Sequence, residues 1–239
     1  MQLSPVQHYS LCSRLGRYDS LGAVPSRQRY EDLWRALPEA IEPSDFDLRK
    51  RFLLERLRER MGERVGFAPQ VLDVGCGEAR FADELARAGA QVVGIDVAEE
   101  PLRRARARHP ELDLRRVEVD GPWELEDASF DIVWAGEVIE HVADTAAWLS
   151  EVRRVLRSGG SLIVSTPAHE PLTMLRLALS RSAFARHFEP LGDHLRFYSN
   201  ATLSALFSEF RFEQIEVRSA GGRHGARAVL LAHALRARF

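Results

Sequence analysis

The chain has 239 residues, enough for one domain with a large core and an appended helical segment. Apolar residues make up 45% of it and its net charge is −2, which excludes disorder over most of the length and argues against a general nucleic-acid binder. The longest apolar run, around 228–235, is too short to cross a bilayer. No charged-then-apolar leader is expected at the start, and the two cysteines, Cys12 and Cys76, make no disulfide framework. The expectation is a reduced, cytoplasmic protein with no membrane partner. Lys50 is the only lysine, an arginine bias that base composition explains more simply than function does.

In chain order, residues 1–25 are polar and aromatic, punctuated by Pro5, Gly16, Gly22 and Pro25, and are expected to form an arm or part of a lid. A helix from about Ser26 carries Tyr30, Leu33, Trp34 and Leu37 and stops at Pro38. Ser44 and Asp45 are good N-cap residues for a second helix, whose apolar side holds Phe52, Leu53, Leu57 and Met61. From residue 70 strands and helices alternate, which predicts a mostly parallel sheet with helices on both faces. Strand one is expected at about 70–75 with its helix at 78–88, strand two at 91–96 with its helix at 98–109, and strand three at 112–119. Strand four covers 130–135 and is followed by a helix through about Leu156. A tight turn at 157–160 leads to strand five at 161–165. Residues 167–198 exceed what a strand-to-helix connection needs. After a Ser199-capped helix at 200–210, the segments 212–218 and 228–236 are consecutive strands with no helix between them, so they must pair antiparallel. Residues 1–68 are thus expected to form an arm and helical lid, and 69–239 a single domain with an insertion at about 167–198.

Residues 71–81 organise this pattern. Val71, Leu72 and Val74 form a buried strand that stops at Gly75-Cys76-Gly77 and runs into a helix bearing Phe81, Ala82, Leu85 and Ala86 on one face. Gly75 and Gly77 let the backbone turn sharply and let a ligand approach it, at the end of a parallel sheet where cofactors bind. Nineteen residues beyond Gly77, Asp96 ends the second strand, where a carboxylate accepts from ribose hydroxyls. A dinucleotide fingerprint would require glycine at the Arg80 position. Asp73-Val74-Gly75-Cys76-Gly77 instead resembles motif I of the class I S-adenosylmethionine (SAM) methyltransferases, with Ala79 where that family often has a third glycine. Asp96, Asp120, Phe130-Asp131-Ile132-Val133, Arg157-Ser158-Gly159-Gly160 and the terminal hairpin continue the resemblance in order over about 68–236. It implies a Rossmann-like class I methyltransferase fold with a seven-stranded sheet.

The resemblance also implies roles. Gly75, Cys76 and Gly77 would admit the methionine tail of SAM, Asp73 would face its ammonium, Asp96 and Val97 would take the ribose, and Asp120 with Gly121 the adenine, whose ring Trp123 would cover. Arg49 and Arg51 are candidates for the cofactor carboxylate. Spacing of i, i+3 and i+4 would put Glu137, Glu140 and His141 on one helical face at the cofactor end of the sheet. Glu137 then borders the SAM pocket, and three readings of the set stay open: polar residues at a helix start, His141 as general base, or a divalent metal held together with His194. The motifs at 137–142, 165–167 and 192–197 resemble both the ubiquinone-pathway O-methyltransferases and the small-RNA 2′-O-methyltransferases, whose two Glu and two His hold a metal. The leading expectation assigns His141 and His194 to catalysis and no metal, with a small apolar acceptor under a lid formed by 167–198. Rivals are a metal-dependent RNA 2′-O-methyltransferase, a catalytically silent SAM-binding protein and an NAD-dependent oxidoreductase.

Overall fold

The computed structural model describes residues 27–62, 66–118, 122–188, 194–222 and 228–238. Two helices, α1 (Arg27–Ala36) and α2 (Phe46–Met61), precede β1 (Gln70–Val74). There follow α3 (Arg80–Arg87), β2 (Gln91–Asp96), α4 (Glu99–Arg108), β3 (Asp113–Arg116) and β4 (Phe130–Gly136). A 3₁₀ turn at Ile139–His141 leads to α5 (Thr145–Val155) and β5 (Leu156–Pro167). The insertion holds α6 (Pro171–Ala178) and α7 (Arg181–His187), and the chain closes with α8 (Asn200–Glu209), β6 (Phe212–Ala220) and β7 (Val229–Arg236).

These strands make one seven-stranded sheet in the order β3-β2-β1-β4-β5-β7-β6. The first five run parallel, while β7 is antiparallel to both β5 and β6. Strand order reverses direction between β1 and β4, so the carboxyl ends of those strands open the crevice where such sheets bind ligands. The near-continuous apolar runs of β1, β4 and β5 are what burial on both faces demands. One face packs Leu72, Val133 and Leu162 against Leu149 and Val152 of α5 and Phe207 of α8. The other packs Val71, Ile132 and Ile163 against Phe52, Leu53 and Leu57 of α2 and Leu85 of α3. Helix α2 therefore builds a layer of the main core.

At the opposite end of the sheet Asp131 is a structural clamp. Its buried carboxylate accepts from Arg60 Nη2 and the Gln70 amide, each at 3.0 Å, and from Arg157, joining α2, β1 and β5.

Several boundaries differ from expectation. Asp45 has φ +49° and caps nothing with its side chain, so α2 begins at Phe46 without the expected N-cap bond. The glycines at 159–160 do not separate a turn from a strand; β5 runs through them, with a register shift opposite Phe130 and Ile132. Strand three pairs only through Arg116, after which the Val117 amide bonds back to the Asp96 carbonyl at 2.9 Å. The helix expected directly after strand four starts only at Thr145, because Glu137 at φ +59° turns the chain out of the strand into the 3₁₀ segment. Ser199 does cap α8, in a reciprocal box with Thr202.

If α2 is integral to the core, Leu53→Ala, at a fully buried position, lowers unfolding free energy by about 2–5 kcal/mol. Urea denaturation checks this; a loss within the range of surface substitutions would make α2 a peripheral element.

Candidate functional site

The glycine loop is shaped by its neighbours, since it has few side chains of its own. The amides of Gly75 and Cys76 donate to the Ile95 carbonyl at 2.8 and 3.0 Å, and the Gly77 amide donates to Asp96 Oδ2 at 2.9 Å. Asp96 Oδ1 accepts from the Ala98 amide at 2.9 Å, so its carboxylate ties the loop to the start of α4. A Cβ at Gly75, whose φ is +68°, would stand 2.5 Å from a Val138 methyl. One at Gly77, with φ +52°, would meet the Trp34 ring at 3.0 Å. Ala79 also adopts a left-handed conformation at φ +60°, which a glycine would take without strain.

The side chain of Cys76 turns inward. Its sulfur packs under Gly94 beside Ala79, Ala82 and Leu102, and burial pushes its thiol up, so only its backbone faces the crevice. Arg80, where a dinucleotide site would need glycine, lays its guanidinium over the Phe46 ring. Asp73 is buried, and its Oδ2 has no hydrogen-bond partner among the described residues. Burial, and then the charge of Asp96, raise the Asp73 carboxyl to about 8. Burial also raises Asp96, against the pull of the Ala98 and Gly77 amides. Val97 is half-buried at the exit of β2. Asp120 and Gly121 lie outside the described residues. Trp123 is buried edge-on to Trp148, with its amide donating to Glu151, so its ring belongs to the core and does not cover a ligand.

Helix α1 lies across this end of the sheet. Glu31 Oε2 accepts the amides of Glu99 and Glu100 at 2.8 and 3.2 Å, capping α4 from outside. Arg104 donates to the carbonyls of Trp34 and Leu37 and to Glu78, while Glu78 also accepts from the Ala40 amide and Arg108. Of the two arginine candidates, Arg51 is exposed, whereas Arg49 is buried, with Nε donating to Ser165 Oγ at 2.9 Å and its guanidinium over Phe81. Glu31 and Arg104 escaped the sequence reading, and Trp34 was read only as an apolar helix residue, because their partners lie tens of residues away and no local spacing marks them.

A second cluster forms where β4 and β5 end. The one-face expectation fails here, because no α-helix carries these residues. Glu137 is drawn towards β5, accepting from Ser165 Oγ at 3.0 Å. Glu140, His141 and His194 come together instead, each offering a donor atom within 4.8 Å of the others. Glu140 is fully buried; Thr166 Oγ1 donates to its Oε2 at 3.0 Å, and Oε1 has no hydrogen-bond partner among the described residues. Burial, and then the charge of Glu137, hold its carboxyl well above the usual range. The Glu140 carbonyl accepts the amides of Leu195 and Arg196, which fixes His194 beside it. The His141 and His194 rings stand edge to face at 4.9 Å, and Tyr30 of α1 reaches His141 at 6.5 Å. In the insertion, His169 and His187 meet at 3.1 Å among Phe184, Phe188 and Phe197, while Leu172, Leu175 and Leu179 are exposed.

Residues 72–164 match the family model described as a methyltransferase domain. A "Probable S-adenosylmethionine-dependent methyltransferase" of Mycolicibacterium smegmatis is 38% identical over 133 residues, covering 56% of this chain and 49% of that protein. A ubiquinone biosynthesis O-methyltransferase of Hahella chejuensis is 35% identical over 155 residues, 62% of this chain and 65% of that one. The chain thus spans about half to two thirds of the length of these curated relatives. Among solved structures, a SAM-dependent methyltransferase from Mesorhizobium loti aligns with a TM-score of 0.59 at 24% identity, over 76% of this chain and 96% of that one. Residues 72–164 thus resemble a methyltransferase domain, and the chain shares its fold with solved SAM-dependent methyltransferases.

The residues fit that family's cofactor. Asp96 spends one lone pair of each oxygen on a backbone amide and keeps the others for hydroxyls. Asp73 Oδ2 is a buried acceptor lacking a donor among the described residues, as a site for an ammonium requires, and Gly75 and Gly77 bring no Cβ to crowd the backbone.

The close approach of Val138 to Gly75 is testable by a double-mutant cycle. Gly75→Ala should destabilise by about 2 kcal/mol through overpacking and left-handed strain, and pairing it with Val138→Ala should recover about 1 kcal/mol relative to additivity. Strictly additive urea midpoints would show that the two do not touch.

Proposed function

We propose that this chain transfers a methyl group from SAM to an oxygen or nitrogen nucleophile of a small molecule. The observation that carries the reading is the pairing of a two-acid glycine pocket with a separate Glu140–His141–His194 cluster at the same end of the sheet. When bound, SAM supplies an electrophilic methyl on a sulfonium, so the demanding chemistry belongs to the cofactor. The chain's share is to bind, align and exclude water. Asp96, with Val97 beside it, holds the ribose hydroxyls; Asp73 faces the ammonium; Arg49, through the Ser165–Glu137 relay, stands on the cofactor's side. Asp120 and Gly121 take the adenine.

His141 accepts the proton that an acceptor hydroxyl or amine must lose, and His194 braces its ring. Helices α6 and α7 of the insertion and Tyr30 of α1 wall the acceptor side, and the exposed leucines and phenylalanines there favour an apolar acceptor. The relatives named as ubiquinone biosynthesis O-methyltransferases support oxygen as the nucleophile. A cytoplasmic location fits the free, buried Cys76 thiol, and no helix among the described residues is long and apolar enough to cross a membrane. The same Glu140–His141–His194 geometry favours one second reading, in which a divalent cation sits among the three and lowers the acceptor's pKa.

Two experiments test this. In calorimetry, Asp96→Ala should weaken SAM binding by about tenfold or more, the worth of a charged hydrogen bond. Wild-type affinity should rise between pH 6 and 8, because a carboxyl raised to about 8 is protonated at the lower pH and must release that proton to face an ammonium. Asp73→Asn should bind weakly and without that slope; a flat wild-type profile would remove Asp73 from the ammonium site. For the acceptor side, label transfer from SAM into fractionated small molecules, RNA and protein should fall by about 10²–10⁴ in His141→Gln, with SAM affinity unchanged. Loss of label on chelation alone would move the cation reading ahead of the base. Binding without label in any fraction would indicate a silent SAM-binding protein.

A further inference from the structure

We propose that a cleft at the end of the sheet opposite the glycine loop binds a small phosphate-class dianion. The cleft has a volume of about 390 Å³ and lies between the last turn of α5, the α8–β6 junction and the end of β7. Because β7 runs antiparallel to β5, with Leu235 beside Ser161, its last residue Arg236 stands where the parallel strands begin. The cleft is therefore separate from the methyl-transfer site described above.

Its charge is unbalanced. Four of the lining residues are arginines, Arg153, Arg154, Arg211 and Arg236, against the single acid Glu209. Arg154 is matched by Glu151 and Asp127 at 2.8 and 2.6 Å. Arg153, Arg211 and Arg236 form no ion pair among the described residues, with Glu209 or with any other acid. Arg153 gives Nη1 to the carbonyls of Phe210 and Arg211, which closes the end of α8 and leaves its Nη2 uncommitted. Arg236 gives Nη1 to the Leu156 carbonyl, and its buried Nε has no partner among the described residues. Burial, and then the charges of Arg236 and Arg211, press Arg153 below its usual value.

Backbone geometry points the same way independently. Arg211 follows the α8 C-cap with φ +56°, the left-handed position that helices ordinarily fill with glycine. A bulky residue there is strained, and the strain places a third guanidinium at the cleft. Planar guanidinium forks match tetrahedral oxyanions. Three of them converging from three elements suit a multiply charged phosphate better than a carboxylate, which offers one negative charge. Such a ligand relieves the repulsion and joins α5, α8 and β7, so it stabilises the fold by linkage.

The test uses the full chain and inorganic pyrophosphate, with sodium chloride adjusted to constant ionic strength so that screening does not mimic binding. Thermal unfolding should shift upward by several degrees and saturate at millimolar pyrophosphate. Arg211→Gly removes the charge while suiting the backbone, so it should fold at least as stably as wild type, bind SAM unchanged and lose the pyrophosphate shift. Arg153→Lys keeps the charge but not the fork, and should weaken binding by about tenfold. Inorganic phosphate and a nucleoside diphosphate form the comparison arms; an equal shift with both pyrophosphate and the nucleotide would assign recognition to the phosphates alone. No shift in wild type, an undiminished shift in Arg211→Gly, or a response to the nucleotide without one to pyrophosphate would each overturn the proposal.

Discussion

A loop made of Gly75, Cys76 and Gly77 cannot hold its own shape, because glycine gives up more backbone freedom than any other residue on folding. Its conformation is imposed by β2. Two of its amides end on the Ile95 carbonyl and the third on the Asp96 carboxylate, so the strand that supplies the acid also sets the turn. This is why a single carboxylate has two functions. It fixes the backbone surface that a ligand would meet, and through the Ala98 amide it aligns the start of α4 with the same crevice. Parallel pairing of β1 with β2, Val74 beside Ile95, carries both ends to one level.

Three buried acids at this end of the sheet, Asp73, Asp96 and Glu140, are costly in an unliganded protein. Desolvation raises each of them, and among the described residues one oxygen of Asp73 and one of Glu140 receive no hydrogen bond. Asp96 is better provided, with an amide on each oxygen. The two orphaned oxygens belong to different clusters, one beneath the glycine loop and one beside the histidines. That separation is the physical basis for the proposed division into a cofactor half and an acceptor half.

Most of the sheet was legible in the sequence, for a clear reason. The strands that matter are buried on both faces and read as short apolar runs, and the turn after β1 is marked by residues chosen for backbone freedom. The antiparallel close of the sheet follows from the absence of a helix between β6 and β7. The region after β4 was misread because i, i+3 and i+4 spacing presupposes an α-helix, and the positive φ of Glu137 diverts the chain before one can start. His194 nonetheless reaches Glu140, held there by backbone bonds from Leu195 and Arg196 that side-chain spacing does not encode. Asp45 misled in the other direction, since a residue suited to capping took a left-handed conformation and made no cap. Glu31 was invisible for the opposite reason: it caps a helix that begins 68 residues later.

The network that holds α1 in place shows how an ion pair can matter without adding much stability. Arg104 and Glu78 are both almost wholly buried, and the desolvation of such a pair consumes most of its attraction. What distinguishes it is the set of neutral partners. Arg104 reaches two carbonyls at the end of α1, and Glu78 takes the Ala40 amide just beyond it, so charges rooted in α4 and in the turn after the glycine loop satisfy backbone groups that α1 would otherwise leave unpaired. Glu31 returns the service by capping α4. Each helix end is completed by the other, which fixes their relative position more tightly than apolar packing of α1, a helix with little buried surface of its own, can do. The Trp34 ring is held against Gly77 as a result, so the wall of the crevice beside the glycine loop depends on hydrogen bonds made on the far side of the helix.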